Sequence, residues 1–308
     1  MSISPPFDPA DCTPYERARA QEAAARLRLE AVRDPDEPNF GRAWDFLAAE
    51  FLARGELEER QALADILRAE TLDYGEGRTG SYHMIVAWEG DALVGVRDCY
   101  VDIDPGRGVA LVCLSHCLVA PAWRRRGLAA LLRAVPLALG RAVVQARVGR
   151  PLPTLVAAEM EPVAAGDPAS LVRLVAYGRS GFRVLDPRRV PYAQPDFRPG
   201  APQIGIPLLG VVRALGIPSA EGPTPSVPVE IAAAYPILFH AAHRRYIEPA
   251  RVDLCERHAL DTLRASPEPV PLLPLPLDLG DEVGPLTREA VFPLYPRELL
   301  GPAAIAAS

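Results

Sequence analysis

The alternation of apolar and polar residues divides this 308-residue chain into three regions. In the middle region, residues 82–103 (YHMIVAWEGDALVGVRDCYVDI) alternate with a period of two about Glu89-Gly90-Asp91, which predicts a hairpin with arms at 82–88 and 92–103. Residues 111–119 (LVCLSHCLV) are apolar except for Ser115 and His116 and predict a largely buried strand, ended by Pro121. Leu128, Leu131, Leu132, Val135 and Leu139 then recur at helical spacing, and Pro136 predicts a kink or the end of a first helical segment. Residues 152–162 read as the next strand, with Glu159 and Glu161 on one face. A helix opens at Asp167-Pro168 and closes at Gly181 in a C-cap role, and Phe182 starts another strand. Residues 203–215 read as the closing strand.

The flanks are different. Residues 14–33, 41–54 and 57–70 predict three helices, the second with Trp44, Leu47 and Phe51 on one face, and residues 71–80 read as a turn-rich connection. Beyond residue 216, helices are expected at 229–246 and 249–264. A tail with nine prolines from Pro267 to Pro302 follows. Such a tail is either a partner-binding linker or an arm packed over the core, and its many leucines favour the arm. On the second hairpin arm, Asp98, Tyr100, Asp102 and Asp104 share one face. That face is expected to be solvated, the alternative being a cation-attracting wall of a substrate cleft.

Composition narrows the chemistry. All 33 basic residues are arginine, so no lysine is available for a Schiff base or a P-loop. A net charge of −6 argues against nucleic acid as the main partner and suits a cationic acceptor. Five scattered cysteines without a Cys-x-x-Cys pair fit a reduced compartment and no structural metal. Cys113 and Cys117 would lie about 13 Å apart on a strand. With no run of eighteen apolar residues and no basic-then-apolar start, neither a membrane span nor a secretory signal is indicated, and a cytoplasmic protein is expected. His240-x-x-His243 could hold a metal only with a third ligand.

The stretch with the strongest chemical signal is Arg124-Arg125-Arg126-Gly127-Leu128-Ala129, between the strand and the helix. First-turn N–H groups, the helix dipole and three guanidinium groups make such a turn an anion site. Arg124-x-x-Gly127-x-Ala129, preceded by Val119-x-Pro121, resembles the acetyl-CoA pyrophosphate loop of the GCN5-related N-acetyltransferases. Tyr177, Gly181 and Phe182 match that family's second cofactor segment in register, with Ser170 where Asn is usual and Arg173 where Ala is usual. The resemblance spans about residues 82–215.

It implies an α/β (α+β) fold: a mixed, mostly antiparallel sheet with splayed central strands (111–119 and 152–161) flanked by helices. N-terminal helices and a C-terminal helical, proline-rich extension would be added to it. The implied division is 1–215 (core 82–215, helical part 14–70) and 216–308. Acetyl-CoA is the implied cosubstrate, without a metal. Its pantetheine would pair with Leu118, Val119 and Ala120, its pyrophosphate would sit on residues 124–129, and Ser170 would lie alongside. Tyr177 would be the acid that protonates the leaving thiolate. Cys113 and Ser115 stand where the family often carries a base. His116, of opposite parity, reads as a buried structural histidine, and Glu159, Glu161 or a water chain are the alternatives. The expected acceptor is a small-molecule amine or a peptide amino terminus, with no nucleic acid, no membrane and a homodimer compatible. A silent CoA-binding module and a partner-binding protein are the rival readings.

Overall fold

The hairpin expected at residues 82–103 forms the centre of the N-terminal half. The computed structural model describes residues 5–54, 56–196, 204–218 and 224–300, in two units, Met1–Leu152 and Pro153–Ser308. The first contains α1 (Arg17–Arg26), β1 (Arg28–Val32), α2 (Pro38–Phe51), α3 (Arg60–Arg68), β2 (Leu72–Gly75), β3 (Arg78–Glu89), β4 (Ala92–Asp104), β5 (Val109–Val119) and α4 (Leu128–Val148). Strands β1, β3, β4 and β5 lie side by side in that order, β2 also pairs with β3, and every ladder is antiparallel. Helices α1 and α4 cover one face, with Ala20, Ala23, Leu128, Leu131 and Leu132 packed on Ile85 and Ala87. Helix α2 covers the other, where Phe51 meets His116 and Arg42 lies over Trp88.

Three details depart from the sequence pattern. Residues 14–33 are not one helix. α1 stops at Arg26, Leu27 is extended, and Arg28–Val32 pair with residues 84–88 of β3. Filling that edge completes five ladder positions and buries Leu29 and Val32, which outweighs the helix propensity of an Ala/Arg/Glu-rich segment. The connection at 71–80 contains β2 and the start of β3, joined at Glu76-Gly77. Both have positive φ (53° and 75°), as a two-residue hairpin turn requires.

The third departure is in α4, which runs unbroken through Pro136. Proline has no N–H for the carbonyl four residues back, so the Leu132 carbonyl loses its helical donor. The buried Arg97 of β4 replaces it, its Nε donating to that oxygen at 3.2 Å. By length and composition α4 could cross a membrane, but 67% of its most apolar window is buried inside the protein.

The second unit contains β6 (Thr154–Met160), α5 (Pro168–Arg179), β7 (Arg183–Leu185), β8 (Ala193–Pro195), β9 (Gly205–Pro207), β10 (Leu209–Leu215), β11 (Ser226–Val227), α6 (Val229–His243), α7 (Pro249–Arg264), β12 (Val270–Pro274) and the short α8 (Arg288–Val291). Its sheet runs β6-β10-β7-β12-β11, antiparallel throughout, with β8 and β9 paired separately. Each unit thus carries an antiparallel sheet flanked by helices, in line with the mostly antiparallel sheet that was expected. The expected closing strand is two, β9 and β10. Its first residue, Gln203, lies outside the described residues, as does Pro302.

The proline-rich tail packs as an arm within this unit. Its β12 adds a strand beside β7, burying Val270 and Leu272, and Leu275 and Leu286 are buried beyond it. Gly178 of α5 leaves room for the Pro276 carbonyl, while Arg179 donates to the Leu277 carbonyl (2.7 Å) and pairs with Asp278 (2.6 Å).

Candidate functional site

The turn between β5 and α4 is built as the sequence pattern requires. A short 3-10 turn, Pro121–Trp123, follows the strand, Arg125 has a positive φ of 62°, and Gly127, at 84°, is the N-cap of α4. Left-handed backbone suits glycine, but packing constrains this position further, because a Cβ at Gly127 would collide with the Arg19 carbonyl of α1. Arg124 Nε donates to the Val119 carbonyl at 3.4 Å, and the Arg126 guanidinium lies over Trp123. Among the described residues none of the three arginines forms a carboxylate ion pair, and all are exposed, which leaves their charge for an incoming anion. Beside the turn, Arg19, Glu22 and Arg26 of α1 join Trp123, Arg125 and Arg126 around a concavity of about 290 Å³. Leu128 is fully buried and faces the core, whereas Ala129 is half-buried at the first turn. The Ala120 N–H bonds the Val94 carbonyl at 2.9 Å, so Leu118 and Ala120 face β4 and the N–H of Val119 points away from it.

His116 departs from the parity reading. Between Arg97↔Cys117 and Cys99↔Leu114, β4 advances two residues while β5 advances three. This β-bulge swings His116 onto the face of Asp98. The Asp98 carboxylate accepts from the His116 backbone N–H (2.5 Å), from its Nδ1 (3.0 Å) and from the Tyr82 hydroxyl (2.9 Å). Nε2 of the ring donates to the Glu56 carbonyl at 2.7 Å. Burial alone would lower the His116 pKa, but Asp98 outweighs it and raises the value to about 10. Burial likewise pushes against the Asp98 charge, yet the imidazolium holds its carboxyl below the usual range. The ring is therefore a cation with both N–H groups in use.

The acidic row is not a solvated face. Asp98, Tyr100, Asp102 and Asp104 are all at most 5% exposed. Each carboxylate has a partner: Asp104 pairs with Arg107, three residues on, at 2.7 Å, and Asp102 Oδ1 accepts from the distant Tyr74 at 3.0 Å. Asp102 Oδ2 has no hydrogen bond, and burial pushes this carboxyl up to about 8 despite Tyr74 and Arg147. Of the family's usual base positions, Cys113 is buried with Ser115 Oγ 3.9 Å from its sulfur.

In the second unit, Ser170 is buried in the first turn of α5, where its hydroxyl donates to the Asp167 carbonyl at 2.8 Å and Asp167 caps the helix. Tyr177 lies on the same helix, 7% exposed, with its ring edge-on to Phe182 at 5.0 Å. Gly181 (φ 80°) and the bond from the Phe182 N–H to the Tyr177 carbonyl close the helix as expected. Glu159 accepts from the Tyr192 hydroxyl, and Glu161 pairs with Arg173. Tyr192 belongs to an aromatic cluster with Tyr235, Phe239 and His240 that no sequence pattern singled out. His240 Nε2 bonds the Ala193 carbonyl, and burial lowers the His240 and His243 pKa values to about 4 and about 3. No group of three metal-ligating side chains forms among the described residues.

No protein-family model matches the sequence, and no curated protein matches it. Solved structures similar to it include Naa50 of Arabidopsis thaliana in complex with the bisubstrate analogue CoA-Ac-MVNAL, at 14% identity over 62% of this chain and 99% of that one, with a TM-score of 0.40. An acetyltransferase of the GNAT family from Streptococcus pneumoniae is similar at 14% identity over 62% and 99%, TM-score 0.37. A putative GNAT-family acetyltransferase from Desulfovibrio desulfuricans is similar at 18% identity over 61% and 98%, TM-score 0.35.

Proposed function

We propose that this protein is an acyl-CoA-dependent N-acyltransferase. In this reading acetyl-CoA is the cosubstrate, and the acceptor is the primary amine of a small molecule or an amino terminus, acylated by direct transfer. The observation that carries the reading is the turn at 124–129. Exposed arginines without carboxylate partners among the described residues stand at the N-terminus of a 21-residue helix, before a left-handed glycine, in the spacing that resembles the family's pyrophosphate loop. The cosubstrate would supply the acyl thioester. Arg124, Arg125 and Arg126 and the first-turn amides would hold its diphosphate, and the Val119 N–H would donate to a pantetheine amide oxygen.

Tyr177 is assigned as the acid, since a phenol is protonated at neutral pH and can donate to a leaving sulfur. Proton removal from the ammonium falls to Glu159, a carboxylate already oriented by Tyr192. His116 is assigned a clamping role, because an imidazolium with both N–H groups donated has no lone pair to offer. A second reading, a CoA-binding protein without turnover, is favoured by one observation: both His116 nitrogens and the Ser170 hydroxyl are engaged in local structure.

Thiol release from acetyl-CoA across a panel of amines separates the two. Turnover with an amine, lost in Arg124→Ala at subsaturating acetyl-CoA, supports the enzyme. Binding without turnover on any amine supports the silent module. Gly127→Glu is a poor probe, because the Arg19 contact makes it a folding variant.

A further inference from the structure

The concavity beside the turn has a wall that the resemblance does not reach. Its members Arg19, Glu22 and Arg26 belong to α1, far upstream of residues 82–215. Four guanidinium groups (Arg19, Arg26, Arg125 and Arg126) face one carboxylate, Glu22, around about 290 Å³. Among the described residues Arg19, Arg125 and Arg126 have no ion pair, and Arg26 touches Glu89 only at 3.7 Å. The indole of Trp123 carries Arg26 and Arg126 on its ring, at 5.2 and 5.8 Å, while its Nε1 donates to Glu89 at 2.9 Å. Both side chains are therefore backed by a buried aromatic. Other arginines of the first unit do meet acids, as Arg141 meets Asp11 and Arg133 meets Glu16. A cluster with this excess of positive charge suits a dianion better than a carboxylate or a neutral group.

We propose that this concavity is a phosphate-monoester site, which on the acyl-CoA reading takes the 3′-phosphate of the cosubstrate. Residues 124–129 hold the diphosphate, and α1 reaches the second phosphorylated position of the same nucleotide. The N-terminal helix is then a specificity element: it makes the protein select 3′-phosphorylated CoA over its dephosphorylated form. No covalent step is involved.

The test rests on the acyl-CoA reading and is arranged to fail separately from it. Acetyl-CoA and 3′-dephospho-acetyl-CoA are titrated calorimetrically into the full chain, its Arg19→Gln variant and an Arg19→Gln/Arg26→Gln double variant. Arg19→Gln alone leaves the Arg26–Trp123 stack in place, and tryptophan fluorescence checks that each variant is folded. The proposal expects acetyl-CoA to bind about 10- to 100-fold more tightly than the dephospho form, the range for charge-assisted contacts to a dianion. That ratio should shrink in Arg19→Gln and approach one in the double variant, while the affinity of the dephospho form stays unchanged. Equal binding of both ligands by the unaltered protein overturns the proposal and leaves the acyltransferase reading standing. A preference that survives in the double variant also overturns it, because α1 would not be its source. Binding of neither ligand removes the acyl-CoA reading itself.

Discussion

If Arg97 replaces the donor that Pro136 lacks, the two residues must be energetically coupled, although they lie on different elements. Pro136→Ala returns an N–H to α4, and that N–H can bond the Leu132 carbonyl in the ordinary helical way. Arg97→Met keeps the aliphatic bulk at a position 1% exposed, but removes the Nε bond to Leu132 and the weaker one (3.4 Å) to the His116 carbonyl. In the native background Arg97→Met leaves a buried carbonyl without a donor, which costs about 1–3 kcal/mol. In the Pro136→Ala background the Leu132 carbonyl keeps a partner, so that part of the cost is removed. The expected interaction energy is about 1–2 kcal/mol, in the sense that Pro136→Ala rescues Arg97→Met. Urea unfolding of the four proteins by tryptophan fluorescence measures it. All three tryptophans, Trp44, Trp88 and Trp123, lie in the unit that contains both residues. Additivity within about 0.5 kcal/mol would show that Arg97 does not serve the proline-vacated carbonyl.

Stability of the first unit should fall as pH rises from about 6.5 to 8. Asp102 (folded pKa about 8, ordinary value 3.8) and His116 (about 10, ordinary value 6.5) both keep protons there that the unfolded chain releases. Asp102→Asn should flatten that slope by roughly 1.4 kcal/mol per pH unit in urea titrations, and an unchanged slope would remove the raised Asp102 carboxyl from the account. In the second unit His240 and His243 are held neutral, so its stability should be lost as pH falls below 6.5, readable by limited proteolysis between pH 4 and 7. Tyr177→Phe should lower kcat at least tenfold with little change in the KM for acetyl-CoA, and full activity would take the acid role from Tyr177. Truncation after residue 266 should strip β12 from β7 and abolish cooperative unfolding of the second unit, whereas a native-like circular dichroism melt would make the arm dispensable.

Elements whose signals are local were legible in the sequence. The hairpin at 82–103 turns at Gly90-Asp91, α5 carries its Asp167 and Gly181 caps, and α7 spans Pro249–Arg264 as its pattern indicates. Features that depend on partners distant in the chain were not. Residues 28–32 are helix formers that became a strand because β3 offered an edge. The row at Asp98, Asp102 and Asp104 alternates as a wet face does; Asp98 and Asp102 are dry because Tyr82, His116 and Tyr74, distant in the chain, meet their carboxylates. His116 shows the same limit at the candidate site. Strict period-two parity placed it away from the base positions, and one extra residue in β5 brought it to Asp98. The anion turn was readable because its chemistry is contiguous. The α1 arginines beside it were not, since about a hundred residues separate them in the chain.

Calorimetric titration of the full chain with acetyl-CoA, with free CoA and desulfo-CoA alongside, asks whether the turn at 124–129 holds a cosubstrate. The account predicts saturable binding of acetyl-CoA in the micromolar range, weakened at least tenfold by Arg124→Ala in a variant that melts like the native protein. Absence of binding by a folded sample, or an affinity indifferent to Arg124, would mean that the turn at 124–129 caps a helix and holds no cosubstrate.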